Sequence, residues 1–294
     1  MKNSTDTNLP PPPAYQEAPA AAYEQTEASR NFIPDDFKFS TAVASCEPQI
    51  RRWFMRKVYT LLSCQLVASF SMCLLVARSE RLQRFVASHQ WIMILAIVGA
   101  LVTCVWLAMA PRQEEPDDAA DPASAALMGV PSDTRSAPWY CLTYRGQLAL
   151  LAVFTACEAY SLSLVTLVYD PQTVLRALLV TVVVVVGISL VAMSERFELA
   201  TSSLTNVYYW LNLALWLLIG IGISSIFFGM GSAVDLFYSW GGATLFTVYL
   251  FVDTQLIFRK VYPDEEVRCA MVLYVDIINL FLYILRIMSR NRDD

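Results

Sequence analysis

Seven long, almost unbroken apolar stretches, at 58–77, 91–110, 148–169, 174–193, 207–228, 236–258 and 269–288, dominate the chain. Each is close to the ~20 residues an α-helix needs to cross the hydrocarbon core of a bilayer. The pattern predicts an all-α membrane protein built as a bundle of seven transmembrane helices. Residues 170–173 are the whole link between the third and fourth stretches, and Asp170-Pro171 marks a turn, so these two form an antiparallel hairpin. The first 35 residues have the opposite character. They are rich in proline, alanine and glutamate, have little to bury, and are expected to be disordered. The organisation expected is a Pro-rich cytosolic tail and amphipathic lead-in over 1–50, then a membrane domain over 51–294. A mobile loop at 111–147, rich in Pro, Ala, Ser and acids, interrupts that domain.

Composition and charge narrow the class. Of 294 residues, 56% are hydrophobic and only 16% charged, against about 25% charged in a soluble domain. The net charge of −5 is uneven: residues 1–50 carry −4 and 113–137 carry −5, which leaves +4 on the membrane part. No basic face interleaved with aromatics lies outside the membrane, so the bilayer is an expected partner and nucleic acid is not. The seven cysteines are scattered without CxxC spacing and His89 is the single histidine, which argues against a zinc site or a disulfide framework. A membrane-embedded enzyme would need a His/Glu metal pair or a Ser–His dyad, and neither is present within the apolar stretches. Neither enzymatic activity nor a cofactor is therefore expected. No apolar segment opens the chain as a cleavable signal would. Arg51, Arg52, Arg56 and Lys57 precede the first helix and argue for a cytosolic N-terminus. The Lys/Arg tally is 11 against 7 if the last stretch spans and 14 against 4 if it re-enters, so charge leaves the side of the C-terminus open.

Ionisable residues inside spanning helices cost roughly 2.5–3.5 kcal/mol or more at mid-depth, which makes them the first candidates for function. Three acids qualify: Glu158, Asp253 and Asp276. Asp253 lies five residues, ~8 Å, inside the end of the sixth stretch, and Asp276 lies seven residues, ~10 Å, inside the start of the seventh. Antiparallel neighbours joined by the short loop between them carry both carboxylates at nearly one depth. Two close carboxylates cannot both ionise cheaply in a low dielectric, so such a pair shares a proton. It can sense pH, relay protons or hold a hard cation such as Ca²⁺ in passing. The plainer alternative is that each acid is neutralised by its own base and only fixes helix packing. Asp276, Asn279, Tyr283 and Arg286 share one stripe of the last helix, which places that helix at the centre of the bundle with Asn279, Tyr283 and Arg286 as candidate pore-lining residues. Arg112 stands at the same side as the aspartates, as a latch for them or as an anchor in the headgroups. Glu158 lines the same cavity or bonds to a neighbouring side chain.

The tail carries a second motif, Pro12-Pro13-Ala14-Tyr15, a PPxY sequence of the kind that docks in the aromatic groove of a WW domain. Its elements Pro12, Pro13 and Tyr15 make a WW-type protein an expected partner.

Several stretches resemble the Bax inhibitor family of membrane proteins, also called the transmembrane Bax inhibitor motif or lifeguard family. They are FIPDDFKFST (32–41), EPQIRRWFMRKVYTLLSCQL (47–66), AYSLSLVTLVYD (159–170), SERFE (194–198) and DTQLIFRKVYPDEEVRCAMVLYVDIINLFLYILRIM (253–288). The resemblance runs from about residue 32 to the end. It implies a seven-helix fold with the last helix central, and a pair of aspartates on helices six and seven that forms a pH-sensitive gate to a calcium leak pore. The DTQ motif puts one of them at Asp253 and YVDIINLF the other at Asp276. The family's arginine partner maps onto Arg112. The lysine-rich C-terminal tail of some animal members is absent, since SRNRDD ends this chain. The resemblance further implies residence in the endoplasmic reticulum or related vacuolar or mitochondrial membranes, roles in calcium homeostasis, stress responses and suppression of cell death, and cell-death regulators as partners. A Ca²⁺/H⁺ exchanger using the same pair, and a regulatory adaptor acting through the tail and the acidic loop, are the competing expectations.

Overall fold

The structure, a computed structural model, describes residues 48–110, 142–194, 201–259 and 265–290. The expectations for the N-terminal tail, for most of the 111–147 loop, and for Pro12, Pro13, Tyr15 and Arg112 lie outside these residues. Nine helices occur among the described residues: α1 Pro48–Arg78, α2 Glu80–Ser88, α3 Gln90–Met109, α4 Tyr144–Ser163, α5 Val165–Val168, α6 Pro171–Met193, α7 Thr201–Phe228, α8 Ser232–Arg259 and α9 Glu266–Arg290. Seven stretches are long and apolar enough to cross a bilayer, with α4 and α5 counting as one, Tyr144–Val168. The expected all-α, seven-helix architecture is what the chain adopts.

The ends of the elements move for local reasons. Helix α6 begins at Pro171, which suits the first helical position because its missing N–H would be unpaired there anyway, so the link expected at 170–173 shrinks to Tyr169–Asp170. Thr143 caps α4 by accepting from Gly146 N at 3.3 Å, and helix replaces loop from Tyr144 onward. The junction of α4 and α5 falls where Ser163 Oγ donates to the Tyr160 carbonyl at 2.6 Å and Thr166 Oγ1 to the Ser163 carbonyl at 2.7 Å, hydroxyl bonds that compete with the helical ladder. Gly229, at φ +70°, ends α7 in the left-handed conformation that glycine adopts without a Cβ clash.

Helix α2 falls in a segment that hydropathy passes over. Ser79 caps it, accepting from Leu82 N at 3.5 Å. Leu82, Phe85 and Val86 form an apolar arc, Arg84 lies opposite it and Arg81 at its edge beside Phe85, and nine residues are far too few to span. This is the geometry of a helix lying at a membrane surface.

Helix α9 packs against α1, α3, α4, α6 and α8 and is the centre of the bundle. The α8 and α9 spans are 67% and 61% buried, whereas α7 leans on α8 and has only 6% of its span covered. Lipid is as apolar as leucine, so hydrophobicity cannot select the central helix; close packing and polar contacts between helices do. One such contact joins Ser69 Oγ on α1 to Tyr274 Oη on α9 at 2.6 Å. The starts of α1, α4 and α9 and the end of α8 share one face of the bundle. There Lys57 Nζ lies 3.3 Å from Glu266 Oε1 and 5.5 Å from the Tyr144 ring centroid, and Arg51 sits over Phe258 at 5.5 Å. The start of α8 and the end of α9 meet at the opposite face, through Asp235 and Arg290. Helix α9 thus meets α8 near both of its ends and is long and apolar enough to cross a bilayer.

Candidate functional site

The seam between α8 and α9 holds two of the three acids found within the apolar stretches, Asp253 and Asp276. Helix α8 carries Asp253 six residues before its end at Arg259, ~9 Å along the axis, and α9 carries Asp276 ten residues after Glu266, ~15 Å. The unequal depths are reconciled by stagger, because α9 starts three residues earlier than hydropathy alone implies. The Asp253 and Asp276 side chains lie next to one another across the seam, close enough to share a proton. They are 3% and 5% exposed, and Asp276 Oδ2 has no hydrogen-bond partner among the described residues. A carboxylate only accepts, so a bond between two carboxyl groups requires that one of them hold a proton.

Among the described residues the surroundings include hydroxyl groups, and Arg268 lies within electrostatic reach of Tyr208, as both aspartates do. Thr254 is buried beside the pair, and the buried hydroxyls of Thr254 and Tyr249 lack partners. Tyr249 and Tyr208 lie within electrostatic reach of both aspartates, and their rings meet edge to face at 5.8 Å. Among the described residues no group of three or more His, Cys, Asp or Glu side chains can hold a metal. A hard cation such as Ca²⁺ takes 6–8 oxygens.

The polar stripe of α9 faces α8, except that Asn279 donates to its own helix at Val275 O, 2.9 Å. Tyr283 meets Tyr238, Gly242 and Phe246. Arg286 pairs with Asp235, which Arg290 Nη1 also reaches at 2.9 Å. Glu158 is half-buried on α4, with Cys104, Cys157 and Tyr274 as its electrostatic neighbours. Tyr274 and Asp276 are two residues apart and so point about 200° from each other round α9, which sets Glu158 on the other side of that helix from the aspartates. Sequence reasoning passed over Asp235, one residue outside the sixth apolar stretch, and the Lys57–Glu266 pair at the opposite end. An acid within one turn of an apolar stretch, facing a basic residue on the next, was the available signal.

The family described as "Inhibitor of apoptosis-promoting Bax1" matches residues 51–293. The chain is 53% identical over 293 residues to "Bax inhibitor 1" of Saccharomyces cerevisiae, covering 97% of this chain and 99% of that protein. It is 27% identical over 260 residues to "Protein lifeguard 4" of Mus musculus, covering 88% and 94%. It is 26% identical over 257 residues to the "Golgi anti-apoptotic protein" of Vaccinia virus, covering 87% and 93%. With the match running through all seven spans, the chain belongs to the Bax inhibitor family.

Proposed function

We propose that the protein is a pH-sensitive calcium leak channel of an endomembrane such as the endoplasmic reticulum, and that through it the protein contributes to calcium homeostasis and to restraint of programmed cell death. The observation that carries this reading is the juxtaposition of the buried Asp253 and Asp276 side chains across the α8–α9 seam. A shared proton holds α8 and α9 together at that point. Loss of the proton leaves two like charges in contact in a poor dielectric, and they separate or admit a cation. Ca²⁺ fits the vacated space because carboxylate oxygens are its preferred ligands. Relatives named for Bax inhibition and for an anti-apoptotic role at the Golgi support the cellular part of the reading. The test is Ca²⁺ flux through proteoliposomes against pH. Wild-type flux should rise as pH rises, and Asp253→Asn or Asp276→Asn should abolish that dependence. Unchanged flux and pH response in both variants would overturn the reading. If an imposed proton gradient drove Ca²⁺ uphill, an exchanger would replace the channel.

A further inference from the structure

Between the aspartate pair and the opposite face, the α8–α9 seam is filled by rings. The Tyr283 ring lies against the backbone of Gly242, so closely that a methyl group at that position would overlap it. Phe246 stacks on it at 5.8 Å with 22° between planes, and Tyr238 tilts against it at 5.5 Å. The Tyr283 hydroxyl donates to Tyr238 Oη at 3.1 Å, and the Arg286 guanidinium covers the Tyr238 ring at 5.1 Å. A glycine inside a helix costs ~1 kcal/mol relative to alanine, so its presence in the middle of α8 calls for a close approach, and Tyr283 supplies it.

We propose that the Tyr283 ring, seated on Gly242, is the barrier that separates the aspartate pair from the face where Arg286 and Arg290 meet Asp235. Water and ions reach the pair from that face only when the ring leaves its seat. The inference deepens the channel reading and rests on it for its physiological meaning. Tyr283 follows Asp276 by seven residues, ~10 Å, and precedes Arg286 by three, ~5 Å. It therefore stands between the acidic centre and the ionic cluster on the stripe that both share. Its hold is light compared with the ion pairs beyond it: one hydroxyl bond and ring contacts, with no charge. The Asp235–Arg286–Arg290 cluster fastens the end of α9 to α8 and does not include the ring one turn deeper.

The experiment uses the full chain in lipid nanodiscs, with Asn279→Cys as a reporter one turn toward the pair. Its reaction with a small charged methanethiosulfonate is read at position 279 by mass spectrometry. With Tyr283 in place the reaction should be slow; Tyr283→Ala should speed it about tenfold or more. Tyr283→Phe keeps the ring and should leave it slow. Gly242→Ala unseats the ring from the other helix and should also speed it. A reporter that reacts fast with Tyr283 intact, or equally slowly with Tyr283→Ala and Gly242→Ala, overturns the proposal. Calcium flux in the same proteins separates the two claims: a fast reporter in Tyr283→Ala without Ca²⁺ flux upholds the barrier and defeats the calcium reading.

Discussion

The hydroxyls of Ser69 and Tyr274 lie 2.6 Å apart with both residues fully buried, and they tie α1 to the central helix. Ser69 Oγ also donates to the Gln65 carbonyl at 2.9 Å, so its proton is committed and Tyr274 is the donor between them. The two substitutions that break this contact are therefore unequal. Tyr274→Phe leaves Ser69 with its backbone bond and should cost about 1 kcal/mol, in the range of interhelical hydrogen bonds in membranes. Ser69→Ala strands a buried phenol and should cost up to ~2 kcal/mol. Thermal unfolding of the purified protein reads both; equal costs would reverse the donor assignment.

On the α8 side of the same helix, any hydrogen bond between Asp253 and Asp276 depends on a proton, whereas a bond between an amide and a carboxylate does not. Asp276→Asn gives Asp253 a permanent donor, so the contact should persist at every pH, with Ca²⁺ flux low and flat between about pH 5 and 8. Asp276→Ala removes the contact altogether, and its flux should be flat and high, about 5-fold or more above the Asn variant, the lower end of ordinary coupling energies. The contrast between Asn and Ala isolates the bond from the charge. Similar flux in both would show that the contact does not control passage.

The spans were legible because hydropathy is a property of ~20 consecutive residues, and a bilayer imposes it on each helix separately. What stood outside the pattern depends on partners. Helix α9 begins at Glu266 rather than 269 because Lys57, from the other end of the chain, offers that acid an ion pair. The aspartates were legible as a pair because acids are rare in such helices, while the Ser69–Tyr274 contact was not, since serine and tyrosine occur throughout the spans. Asp235 was passed over because it stands one residue beyond an apolar run. Arg286 was read as part of a polar stripe, and its partner Asp235 is visible only once α8 and α9 are laid side by side. Glu158 belongs to the α4 side of the central helix, a separation that turns on the angular position of Tyr274 and not on depth.

The Lys57–Glu266 pair should behave as a partly buried salt bridge. Glu266 is 1% exposed while the Lys57 side chain is 32% exposed, with its ammonium 3.7 Å above the Trp53 ring. Removing one partner of a fully buried pair costs roughly 3–5 kcal/mol. Water at the lysine reduces this, so Lys57→Met should cost about 2 kcal/mol. Adding Glu266→Gln should recover part of the loss, because it removes the buried charge that Lys57 had balanced, and Lys57→Arg should cost least. Unfolding midpoints of the three proteins and the wild type decide it. A double variant less stable than Lys57→Met would show that Glu266 acts mainly through other contacts.

Helix α2 holds its shape by where it lies and not by its own bonds. A nine-residue helix is marginal in water, where even favourable sequences need ~12–15 residues. The Arg84–Glu80 pair at 3.2 Å contributes little, with both side chains mostly in solvent. Val86 is buried, but Leu82 and Phe85 on the same arc are 38% and 46% exposed, and at a bilayer surface that exposed apolar area meets acyl chains. Replacing both by glutamine removes the reason for the helix to lie flat, and amide exchange across 80–88 should quicken about tenfold or more, as in a segment released to local opening. Replacing Arg81 and Arg84 by glutamine keeps the apolar arc and should leave exchange nearly unchanged. If the arginine variant exchanged faster than the apolar one, headgroup charge rather than apolar burial would be what holds α2 in place.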